Sequence, residues 1–135
     1  MASQTLFLFG ASIFGVLGTL HLGYTFFTRR FDTRNPATAE AMRFDHPVLT
    51  RRTTVWNAWI GFNASHSLGV MLFSALYLLL AAQHMPVLRE SPLLAWLGVA
   101  GGIAYLALAW RYWFRTPLIG IALGTACLAL GALLR

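Results

Sequence analysis

The sequence contains no lysine and only four acidic residues, Asp32, Glu40, Asp45 and Glu90, among 135. Charged residues amount to 10% of the chain, where a soluble domain carries about 25%. So sparse a set cannot clothe an ordinary aqueous surface. There is one cysteine, Cys127, which excludes an intrachain disulfide and a thiolate metal cluster. It falls within an apolar run and reads as a small packing residue. No carboxylate lies inside any apolar run, which argues against a metal site of the usual three protein ligands and against a Ser-His-Asp arrangement. The glycines also sit within apolar runs rather than between a strand and a helix, so no phosphate-cradling loop is present.

What the chain has instead is apolar length. Hydrophobic residues make up 58% and the mean hydropathy is +0.64. Four runs, at about 4–28, 54–82, 92–114 and 117–134, are each close to the ~20 residues that cross a ~30 Å hydrocarbon layer as a helix. The expected fold is an all-α membrane protein, an up-down bundle of four transmembrane helices forming a single domain over 1–135. Short connections between the last three spans make them antiparallel neighbours. The first run has no basic residue ahead of Arg29 and no small-x-small cleavage site, so it reads as a retained helix rather than a leader.

The net charge of +6 is carried entirely by arginine. On a soluble protein that excess would point to nucleic acid. Here its distribution gives a membrane reading and argues against nucleic acid. Arg29, Arg30, Arg34, Arg43, Arg51, Arg52, Arg111 and Arg115 gather on one side of the spans, against Arg89 and Arg135 on the other. By the positive-inside rule, the loop at 29–53 and the turn at Arg115 are cytoplasmic, and both termini lie outside the cytoplasm. The expected location is the cell inner membrane. Within the loop, Asn35-Pro36 supplies a cap and a first-turn proline, and Asp45-His46-Pro47 supplies a stop. A short interfacial helix over 37–44 follows, with Met42, Phe44, Val48 and Leu49 available to dip into lipid. Arg51, Arg52, Arg111 and Arg115 are the candidates for lipid head-group contact, with membrane lipids as partners.

Strongly polar residues inside the spans are few: His21 and Thr25 in the first, and Asn63, Ser65, His66 and Ser67 in the second. An ionisable group at membrane depth needs a partner or a cavity and is a functional candidate by default. Trp56, Trp59, Asn63 and His66 recur three or four apart on one helical face, as do Gly18, His21 and Thr25 on the other helix. The two stripes define a polar notch lined by His21, Thr25, Trp59, Asn63 and His66, with Tyr105 of the third span as a further candidate. A rise of ~1.5 Å per residue puts His21 roughly 10 Å, Asn63 roughly 13 Å and His66 roughly 18 Å from the cytoplasmic helix ends. Asn63 is therefore the expected direct partner of His21.

Such a notch can serve as interhelical glue. It can also bind a lipophilic ligand or a partner membrane subunit, which is the leading expectation. Two alternatives use the same residues. One is a small enzyme acting on an isoprenoid or quinone by histidine acid–base chemistry. The other is a haem-bearing electron carrier, against which the depth offset of roughly 8 Å between the two histidines weighs, since axial ligands must be level.

Overall fold

The computed structural model describes residues 1–135. The chain is all-helical, with six helices: α1 (Ala2–Phe27), α2 (Pro36–Phe44), α3 (Val55–Gln83), α4 (Met85–Glu90), α5 (Pro92–Tyr112) and α6 (Arg115–Leu133). Four of them, α1, α3, α5 and α6, are long and apolar enough to cross a membrane. Their ends fall within two residues of the boundaries read from hydropathy.

Which residues are hidden says what solvent these helices suit. Phe9, Phe62, Leu72, Ile103 and Leu123 are more than half exposed, whereas Ala11, Ala81, Ala95, Ala132, Ser67 and Ser74 are buried. Large apolar side chains turned outward, with alanine and serine among the buried contacts, is the pattern of helices whose outer surface meets lipid and whose contacts depend on close backbone approach. The protein is accordingly a multi-pass membrane protein.

By its internal contacts the chain divides into two compact units, Met1–Leu17 with Val70–Arg135, and Gly18–Gly69. In the first, α5 packs along α6 and the first four turns of α1 lie against α3 and α6. Glycine makes the second of these contacts: a Cβ at Gly10 would stand 2.8 Å from the Gly124 carbonyl oxygen, and one at Gly124 would stand 2.9 Å from the ring of Phe14. The backbones can come this close only without side chains between them. Polar side chains tie the same surfaces. The Ser3 hydroxyl donates to the Gly131 carbonyl (2.7 Å), that of Ser74 to Ala11 (2.7 Å), the Gln4 amide to Ala81 (2.9 Å) and the Tyr77 hydroxyl to Leu94 (2.8 Å). Phe7, Phe14, Tyr77, Leu88 and Leu128 fill the remaining space. The hydroxyl of Thr125, facing Gly102, is the one buried side-chain polar atom without a hydrogen bond.

Helix α4 is a difference from the sequence reading, which leaves 83–91 as a loop. Pro86 stands in its first turn, where the missing N–H costs nothing. Met85 and Leu88, three apart, bury one face of the short helix. Ser91 then ends α4 and caps α5, its hydroxyl accepting from the Leu94 amide (3.3 Å).

The second unit holds the last turns of α1, the basic loop with α2, and the first half of α3. Asn35 caps α2 through its side-chain oxygen, which accepts from the Ala37 amide (3.0 Å). Residues 45–55 then form a loop pinched at its neck: the Val55 amide donates to the Asp45 carbonyl (2.9 Å), and His46 Nδ1 to the Thr53 carbonyl (2.8 Å). Val48 and Leu49 stand fully exposed at its tip.

Candidate functional site

The notch lies within the second unit and is organised by Asn63. Its side-chain nitrogen donates to the carbonyl of Trp59, one turn earlier (2.8 Å), so its oxygen is the atom turned toward α1. That oxygen accepts from Nε2 of His21 at 2.9 Å. Because an amide oxygen only accepts, Nε2 carries the hydrogen, and in the neutral ring the lone pair belongs to Nδ1. One amide thus sets both the orientation and the tautomer of a histidine at membrane depth.

The surrounding hydroxyls are turned onto backbone. Thr25 donates to the carbonyl of His21 and Ser67 to that of Asn63, each at 2.8 Å and each four residues back. His21, Thr25, Asn63 and Ser67 are all at most 9% exposed. They shape the notch, and the Thr25 and Ser67 hydroxyls and the Asn63 amide are already engaged.

His66 completes it. Its half-buried ring meets that of His21 edge to face, with centroids 5.3 Å apart, and lies parallel to Phe62 at 6.5 Å. The contact is closer than the depth offset of roughly 8 Å allows for level helix ends. The Asn63–His21 bond accounts for it, since it sets Asn63 beside His21 and leaves His66, three residues on, about one turn away. The indole of Trp59, a turn into α3, donates to the carbonyl of Phe31, which lies beyond the end of α1 (3.2 Å). Two axial imidazoles must be separated by the haem plane and its iron. Rings in edge-to-face contact, one with Nε2 held by Asn63, do not fit that role.

Phe31 is the contributor that sequence periodicity misses. It belongs to no helix, yet its ring lies 4.5 Å from that of His21 and 6.5 Å from Tyr24, covering the notch from the loop side. The available signal is its isolation: it is an aromatic residue flanked by Arg30 and Asp32 in a polar loop.

The remaining sequence candidates are dispersed. Tyr105 belongs to the other unit, where its ring packs near Phe14 (6.1 Å) and Phe73 (6.3 Å). Arg51 and Arg52 are exposed beside the pinched loop. Arg111 and Arg115 are exposed in the first unit, with Arg111 over the ring of Tyr112 at 5.1 Å. No three His, Cys, Asp or Glu side chains converge in a way that could hold a metal ion.

Fold and notch define a class, that of a small multi-pass helical membrane protein with a histidine pair inside its apolar helices. No protein-family model matches the chain, and none of the curated proteins or solved structures matches it either.

Proposed function

We propose that this protein binds a lipophilic molecule with a polar head in the notch formed by His21, Asn63 and His66. The observation that carries the reading is the histidine pair. Two imidazole rings in contact, one held by Asn63 and the other half-buried, set polar aromatic groups beside apolar helix faces. A carbonyl- or hydroxyl-bearing lipid such as a quinone or isoprenoid has the matching chemistry.

In this reading the chain is an up-down four-helix bundle of the cell inner membrane. The basic loop and the α5–α6 turn face the cytoplasm, and both termini face away from it. Helix α2 and the exposed Val48–Leu49 tip rest in the interface, while Arg51, Arg52, Arg111 and Arg115 meet lipid phosphates.

Mass spectrometry of lipids retained by the purified protein tests the proposal. The His66→Ala variant is expected to lose the retained ligand by about tenfold, as one removed polar contact implies, while unfolding in detergent is little changed. Undiminished ligand in that variant refutes the notch as the site.

A catalytic use of the same notch is the second reading. The bond from Asn63 that holds the His21 ring favours it, because a general base must be positioned before it can act. Incubating the protein with the retained lipid separates the two: an enzyme alters its ligand, whereas a binding protein returns it unchanged.

A further inference from the structure

We infer that the basic loop contains a second site, built for a phosphate ester that also carries a primary ammonium group, the chemistry of a phosphoethanolamine lipid head. An open cavity of ≈ 480 Å³ is lined by Arg29, Arg34, Glu40, Arg43 and Phe44, together with Asp32 and neighbouring small residues of the same loop. That volume falls within the ~300–1,000 Å³ of small-molecule sites.

The charges of this cavity do not cancel among themselves. Its one ion pair joins Arg29 to Asp32 at 3.0 Å. Glu40 and Arg43 are three apart on α2 and within reach of each other, yet they form no pair, because the Arg43 guanidinium lies over the ring of Trp56 at 5.3 Å. Arg34 has no acidic partner either. Two guanidinium groups and one carboxylate therefore share a cavity without neutralising one another.

A ligand that satisfies all three must bring both signs. Guanidinium groups suit phosphate oxygens through paired N–H donors, which assigns that end to Arg34 and Arg43. A simple anion would meet the Glu40 carboxylate as a like charge, whereas an ammonium group donates hydrogen bonds to it. A quaternary ammonium has no N–H to donate and is instead held by an aromatic cage, which the lining lacks. The order of preference is therefore phosphoethanolamine over phosphocholine and over phosphoglycerol. Phe44, 76% exposed at the rim, places acyl-chain-compatible surface next to the polar cavity. This site shares no residue with the histidine notch and does not depend on it.

The test uses the full chain in detergent and short-chain phosphatidylethanolamine, phosphatidylcholine and phosphatidylglycerol as probes, with soluble glycerophosphoethanolamine as a fourth. Binding is read by native mass spectrometry. The ethanolamine lipid is expected to bind about tenfold more tightly than the glycerol lipid, the worth of one charge-assisted hydrogen bond. Glu40→Gln removes that preference without weakening the glycerol lipid, and Arg34→Gln weakens both. Glycerophosphoethanolamine binding as tightly as the lipid upholds the chemistry and makes a soluble head group the occupant. Weaker binding of it makes the occupant a membrane lipid. Equal affinity for all three lipids, or a preference that survives Glu40→Gln, overturns the inference. Because both positions are exposed, unchanged helical circular dichroism verifies that each variant is folded.

Discussion

Asn63 makes two bonds that fix a third group. Its amide hydrogen goes to its own helix and its oxygen to His21, so replacing it frees the imidazole to rotate and to change tautomer. In a double-mutant cycle of His21→Ala and Asn63→Ala, we expect a coupling of about 0.6–2 kcal/mol in detergent-unfolding free energy, the range of interhelical hydrogen bonds in membranes. The cycle of His66→Ala with Asn63→Ala is expected to give a smaller coupling, because the Asn63 nitrogen is committed to Trp59 and its oxygen to His21. Equal couplings would mean that the two histidines are held alike and that the notch has no distinct ligand-facing ring. The pairing of Asn63 with His21 was legible in the sequence because helical rise alone orders those depths. The contact between His21 and His66 was not. It depends on the register of α3 against α1, which the Asn63–His21 bond fixes and which helical rise counted from each end does not.

Among the helices, spacing is controlled by what is missing from a few side chains. Gly10 and Gly124 let α1 and α6 approach with backbone nearly in contact. Added methyl groups there meet a carbonyl and a packed ring, neither of which is a flexible chain end. Gly10→Ala and Gly124→Ala are each expected to lower unfolding stability by about 1–3 kcal/mol, the usual cost of overpacking. Gly61→Ala serves as the contrast, because a Cβ there meets nothing within 4 Å, and it should stay within about 0.5 kcal/mol of the parent. A steady SDS-unfolding midpoint for Gly10→Ala would refute the close approach of α1 and α6. The four long helices were legible because apolar length is a composition signal. Helix α4 was not, since six residues are too few to show a period and proline at a helix start looks the same in sequence as proline in a loop.

For the molecule as a whole, the arginines make a vectorial claim. With Cys127 replaced by serine and a cysteine introduced at Thr38 on exposed α2, an impermeant maleimide should label the protein in inverted vesicles and not in intact cells. Labelling from the cell exterior would reverse the orientation and move the basic loop and its cavity to the other face. The polar side chains have a further consequence for how such a chain is made. Thr25, Ser65, Ser67 and the amide nitrogen of Asn63 all donate to carbonyls three or four residues back in their own helices. Around the notch, these donors are concealed before α1 and α3 meet. A nascent α3 can enter lipid with the polar groups around Asn63 already folded against its own backbone, leaving the Asn63 oxygen for the imidazole of His21.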